Sequence, residues 1–191
     1  MEFKRVAVYC GSSTGNDPKF RKGAEALADF FVQHNITMVN GGGSIGIMGV
    51  MGDRMIEKGG SCVGVIPLNL KERELEHKGM TEMITTPGMH ERKRYILDTC
   101  DAFIALPGGY GTLDELFECI TWRQLNLHDR PIGILNVDGF FDPILEMIKQ
   151  MKAFGFVNQQ SNDILLVAEN VETLMEKLNV ASPVMQNKWL S

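Results

Sequence analysis

Short β-branched runs alternate with amphipathic helical stretches along nearly the whole chain, and several of the runs end in glycine. RVAVYC (Arg5–Cys10) ends in Gly-Ser-Ser and predicts a strand. Asp17-Pro18 opens a helix to about Gln33, with proline in the first turn where its missing N–H costs nothing. Ile36–Asn40 predicts a second strand, followed by GGGSIG and a helix to about Lys58 that stops at Gly59-Gly60. Cys62–Ile66 predicts a third strand, ended by Pro67, and the polar stretch Leu68–Met80 predicts a loop. Glu82–Thr85 is a weaker strand, and Met89–Thr99 a helix. Ala102–Leu106, a helix over Thr112–Leu125 and Ile132–Asn136 continue the alternation. A helix near Phe141–Ala153, a strand Ile164–Val167 and a helix near Val171–Leu178 complete it. Apolar strands joined through helices predict the α/β class: a doubly wound parallel sheet with helices on both faces. One domain is expected over residues 1–180, with a patternless tail at 181–191.

Composition excludes several classes. Of 191 residues, 44% are hydrophobic and 23% charged, which rules out overall disorder. The net charge of −5 does not suggest the basic face of a nucleic-acid binder. No run of 18 apolar residues predicts a membrane span. MEFKRVAVYCGSS lacks the apolar stretch and cleavage site of a signal peptide. The four cysteines are scattered with no CxxC pair, so reduced thiols and a cytoplasmic location are expected. The four histidines show no ligand spacing, so no protein-bound metal is expected.

In a doubly wound sheet, ligands bind beyond the carboxyl ends of the strands. Three glycine-bearing loops fall there: Gly11–Asn16, Gly41–Gly46 and Pro107–Thr112. Ser12, Gly42 and Gly43 are candidate ligand contacts in the first two. Gly41, Gly43 and Gly46 spell GxGxxG, which serves either as a tight turn or as a phosphate cradle at a helix start. No carboxylate follows the next strand, as a dinucleotide site requires, and no GK[ST] marks a P-loop. Gly46, Gly49 and Gly52 recur at helical spacing and predict close packing. PGGYGT (Pro107–Thr112) is the stronger signal, because a second such turn in one sheet points to a single anionic ligand.

In the helix after PGGYGT, Leu113, Leu116, Phe117 and Ile120 form the predicted buried stripe, with Glu115, Glu118 and Trp122 opposite. Thr112-x-x-Glu115 matches a capping box; Glu115 is equally placed to act as an acid or base beside the loop. Trp122, with Leu125 nearby, covers either a subunit interface or a surface loop. In the MHERK helix, Met89, Ile96, Leu97 and Cys100 form the apolar stripe, yet Lys93 falls within it and Arg92 borders it. Two such cations either pair with an anion or carry their heads out to solvent.

GGGSIGIMG, MHERK (Met89–Lys93), PGGYGTLDE (Pro107–Glu115) and TWRQLNLHDRPIGILN (Thr121–Asn136) together resemble the Lonely Guy (LOG) family. These are cytokinin riboside 5′-monophosphate phosphoribohydrolases, many carrying a historical lysine decarboxylase label. The similarity runs from about Val6 to Val157. It implies a Rossmann-like homodimer that cleaves the N-glycosidic bond of a nucleoside 5′-monophosphate, giving a free purine base and ribose 5-phosphate without a cofactor. The family's catalytic pair maps onto Arg92 and Glu115. Its other nucleotide contacts map onto Glu74, Lys93, Gly109, Tyr110, Gly111, Thr112, Leu113, Asp114 and Thr121. Asp114 stands where plant members commonly carry Glu.

Two other readings compete at this stage. A non-catalytic nucleotide-sensing module would use the same scaffold, since fold does not fix function. A lysine decarboxylase would need pyridoxal phosphate on a Schiff-base lysine, and no lysine sits at a ligand loop.

Overall fold

The computed structural model describes residues 3–71, 76–157 and 164–181. Seven strands form one sheet: β1 (Arg5–Tyr9), β2 (Thr37–Asn40), β3 (Cys62–Pro67), β4 (Glu82–Thr86), β5 (Ala102–Ala105), β6 (Ile132–Leu135) and β7 (Leu165–Ala168). All pair in parallel, in the order β4-β3-β2-β1-β5-β6-β7. The connections run outward in opposite directions from β1 and β5, so the switch point lies between these two strands.

The interior strands are apolar on both sides because both faces are covered. On one face lie α1 (Pro18–Gln33), α2 (Gly46–Glu57) and α7 (Val171–Val180), closing over Val6, Val8, Met38 and Ile104. On the other lie α4 (Met89–Thr99), α5 (Tyr110–Gln124) and α6 (Asp142–Ala153), closing over Ala7, Tyr9, Val39 and Phe103. The short helix α3 (Leu68–Lys71) follows β3.

Local chemistry sets the helix starts. The Asp17 carboxylate accepts the Lys19 N–H at 2.9 Å, and Pro18 occupies the first turn of α1. Ala24, Leu27, Ala28 and Phe31 then bury the stripe that a 3.6-residue period requires. Asn170 caps α7 through Thr173 N–H. Arg54 of α2 grips Asp29 of α1 with two nitrogens, at 2.7 and 2.8 Å, which fixes how these helices lie together.

Several expectations need correction. The stretch after Pro67 is not all loop: Leu68–Lys71 turns as α3. The glycines of α2 do approach closely, but not helix to helix. Gly46 lies against the Ser12 backbone, Gly49 against Ser44, and Gly52 against the His77 ring. The helix after PGGYGT begins at Tyr110 with Gly109 as its cap, so Thr112 caps nothing and no capping box forms. Its buried face is Thr112, Glu115, Leu116, Cys119 and Arg123, leaving Leu113, Phe117 and Ile120 half-buried on the flank. Trp122 does not face away from the core but packs partly buried against the α4–α5–α6 cluster. The tail expectation falls on residues 182–191, outside the described residues.

Candidate active site

The three glycine loops meet at the carboxyl edge, laced together through Gly11. Its N–H donates to the Pro107 carbonyl at 3.2 Å, and its carbonyl accepts the Met48 N–H at 3.3 Å. Gly46 holds a positive φ of 68°, and a side chain there would strike the Ser12 backbone. The loop after β1 is thus wedged between the other two, above the switch point.

Under this lacing opens a cavity of about 350 Å³, lined among the described residues by Cys10, Ser12, Gly41, Met48, Met89, Arg92, Tyr110, Thr112 and Glu115. A neighbouring apolar cleft of about 230 Å³ shares Gly11, Ser12 and Gly109 with it and is walled by Phe20, Ile47 and Phe140.

Two helices that flank β5 supply the charged groups. Arg92, in the first turn of α4, points its side chain across the tip of the sheet, 12% exposed. Its Nη1 lies 2.7 Å from Glu115 Oε1, and its Nε–H donates to the Val65 carbonyl at 2.9 Å. Lys93 reaches the outer side of α5, 2.8 Å from Asp114 and 3.4 Å from Glu118. Both cations therefore resolve by pairing with carboxylates of α5, not by extending into solvent.

Glu115 is buried, and desolvation pushes its carboxyl above the ordinary glutamate range, against the opposing pull of Arg92 and then Lys93. Burial pulls Lys93 down, but Asp114 and Glu118 raise it above the usual lysine value. Beneath them, Tyr9 and Cys119 lie 3.3 Å apart, OH to Sγ; burial drives the Cys119 thiol up to about 12 and raises Tyr9 as well. The Cys10 thiol is also raised by burial, so these groups stay neutral.

The start of α5 carries the second feature. Gly109 provides no side-chain cap, leaving the first-turn N–H groups open to the cavity. Thr112 is 3% exposed, and its hydroxyl is buried with no hydrogen-bond partner among the described residues. An uncapped helix start carries partial positive charge and free N–H groups, the chemistry that suits an anion.

Of the residues expected from sequence, Ser12, Arg92, Gly109, Tyr110, Gly111, Thr112 and Glu115 converge on the cavity. Leu113, Asp114 and Thr121 lie instead on a shallow outer surface of α5, with Tyr110, Phe117 and Trp122. Gly42 sits behind the cavity against Gly64 and Met83, its N–H donating to Asn40 Oδ1 at 2.8 Å. The Gly43 N–H turns to the Met48 sulfur at 3.2 Å. Glu74 lies outside the described residues. Sequence reasoning missed Cys10, Met48, Leu70 and Met89 as lining residues. Only their positions next to glycine loops or helix starts could have signalled them. Among the described residues, no group of three His, Cys, Asp or Glu is placed to hold a metal ion. No helix among them is long and apolar enough to cross a membrane.

A glycine-lined cleft at the switch point of a parallel sheet defines a Rossmann-like α/β protein. Solved structures share the architecture. The molybdenum cofactor binding protein of Rippkaea orientalis matches with a TM-score of 0.69 at 20% identity, over 94% of this chain and 97% of that one. The molybdenum cofactor carrier protein of Chlamydomonas reinhardtii matches at 0.67 and 17%, over 92% and 96%. At such identities the likeness is one of fold. Residues 48–178 match the family described as "Possible lysine decarboxylase". The chain is 43% identical over 181 residues to cytokinin riboside 5′-monophosphate phosphoribohydrolase LOG2 of Arabidopsis thaliana, covering 95% of this chain and 85% of that protein. It is equally similar to the phosphoribohydrolase LOG of Oryza sativa subsp. japonica, over 95% and 75%. The protein belongs to this LOG family.

Proposed function

We propose that the protein hydrolyses the N-glycosidic bond of purine nucleoside 5′-monophosphates, releasing free base and ribose 5-phosphate. The carrying observation is the Arg92–Glu115 pair, 2.7 Å apart, beside an uncapped helix start that bears the unpartnered Thr112 hydroxyl. The names of its relatives support the same activity.

Cleavage leaves positive charge on the ribose and sends the C1′–N bond pair to the departing base. The Glu115 carboxylate stabilises that positive charge and orients a water, whose oxygen bonds to C1′ and keeps one proton as the new hydroxyl, while its other proton passes by way of Glu115 to the departing base. Arg92 favours the ionised form of Glu115 against burial and aims the carboxylate. The α5 N-terminus and Thr112 hold the 5′-phosphate, so remote binding energy fixes the sugar over Glu115. No cofactor enters this scheme. The lysine beside the site, Lys93, is engaged by two carboxylates.

We also assign a homodimer, supported by the outer face of α5, where Tyr110 is 93% exposed beside half-buried Leu113, Phe117 and Trp122. Phe117→Glu in a light-scattering measurement tests it: an unchanged mass of two chains counts against this face. A cytoplasmic location is supported by four buried thiols outside any disulfide, and the net charge of −5 speaks against nucleic acid as a partner.

Incubation with AMP, a cytokinin nucleotide and adenosine, followed by chromatography of the base, tests the activity. Base is released from the monophosphates, and Glu115→Gln and Arg92→Ala each lower the rate by about 100-fold or more. Full activity in both folded variants, or equal turnover of adenosine and AMP, refutes the proposal.

A further inference from the structure

Gly41 opens the GGGSIG loop, yet its backbone does not demand glycine. Gly42 and Gly46 take positive φ values of 76° and 68°, whereas Gly41 does not. What a side chain at Gly41 would meet is Arg92: a Cβ would sit 2.6 Å from Nη2 and 3.1 Å from the Met48 sulfur. The other guanidinium nitrogens are engaged. Nε–H donates to the Val65 carbonyl at 2.9 Å, and Nη1 lies 2.7 Å from Glu115 and 3.2 Å from the Met89 sulfur. Nε and Nη1 are thus committed to Val65, Glu115 and Met89, while Nη2 lies where a side chain at Gly41 would sit.

We propose that Gly41 is a positioning residue: its missing side chain forms the seat on which the Arg92 guanidinium lies, and so sets the Arg92–Glu115 pair. The inference rests on the hydrolase reading of that pair. It gives the first glycine of the loop a role other than cradling phosphate. The three atoms nearest a methyl at Gly41 are the ends of two long, flexible side chains, so the fold accommodates it by letting them move. The guanidinium cannot retreat without loosening its bond to Val65 or its contact with Glu115, and a shift of that kind acts on the chemical step.

The test uses full-length Gly41→Ala, Arg92→Lys and the double variant, with AMP kinetics, thermal melting and calorimetric titration with ribose 5-phosphate. Gly41→Ala lowers kcat about 30-fold while melting stays near wild type. Ribose 5-phosphate affinity changes less than about threefold, because the α5 start proposed to hold the phosphate is untouched. In the Arg92→Lys background, adding Gly41→Ala costs less than about threefold, since the lysine head has no Nη2 to displace. An equal loss of kcat in both backgrounds overturns the proposal, as does an unchanged kcat in Gly41→Ala. A loss of ribose 5-phosphate affinity above about tenfold overturns it in favour of a phosphate contact. An independent readout is the Arg92 Nε–H resonance in 15N NMR, which moves in Gly41→Ala; an unmoved resonance also overturns the seat. Wild-type kcat in Arg92→Lys is a different result, and removes the underlying reading of Arg92.

Discussion

Arg92 and Glu115 stand 2.7 Å apart on helices that precede and follow the same strand, β5, and both side chains are almost wholly withdrawn from solvent. Burial favours the neutral form of Glu115, while Arg92 and Lys93 favour its charge. Tyr9 and Cys10 from the end of β1, and Asp114 and Cys119 on α5, add no compensating cation.

Because the folded-state value of Glu115 is raised, kcat/KM for AMP falls on the acid side at a pH above the ordinary glutamate range. Stability runs in the opposite sense. A raised glutamate binds its proton more tightly in the fold, so its contribution is full below the unfolded value and is lost as pH rises through the folded one. A pH–rate profile with its acid limb at or below the ordinary glutamate value contradicts the carboxylate role.

Lys93→Met removes one of the two cations that oppose burial of Glu115 and unpairs Asp114 and Glu118. The acid limb of kcat/KM moves to higher pH, while the requirement for a 5′-phosphate is retained. An unmoved limb with a selective loss of nucleotide affinity would instead make Lys93 a direct substrate contact.

Thr112→Val separates binding from folding. The hydroxyl is buried with no partner to lose among the described residues, so stability by urea denaturation holds or rises, by up to about 1–3 kcal/mol, as its desolvation cost is removed. Ribose 5-phosphate binding weakens about ten- to thirtyfold, the worth of one hydrogen bond to a charged group. Unchanged affinity in calorimetry places the phosphate elsewhere.

Phe103→Ala tests the frame beneath the site. Phe103 is fully buried in β5, stacked on Tyr9 at 6.2 Å and edge-on to His128 at 5.5 Å. Its removal costs about 3–5 kcal/mol in denaturant unfolding, through lost burial and the cavity left behind.

The strands and glycine loops were legible because β-branched runs and glycine are local signals. The phase of α5 was not. Its apolar residues suggested a stripe through Leu113 and Phe117, but the buried face carries Thr112, Glu115 and Arg123. Glu115 and Arg123 are buried because distant parts of the chain answer them: Arg92 meets Glu115, and the Ile164 carbonyl accepts from Arg123 at 3.1 Å. A hydrophobic pattern does not register such partners. The hold of the Val65 carbonyl on Arg92 was equally hidden, since every residue has a carbonyl and only the fold selects which one is used.

The placement of the pair around β5 divides labour within the chain. One contiguous stretch, from α4 through α5, carries the Arg92–Glu115 pair together with the uncapped helix start proposed to hold the phosphate. The tips of β2 and β3 supply a mould of backbone, a glycine on one side and a carbonyl on the other. Transplanting the contiguous stretch alone into another parallel sheet would therefore carry the reagents without the template that aims them.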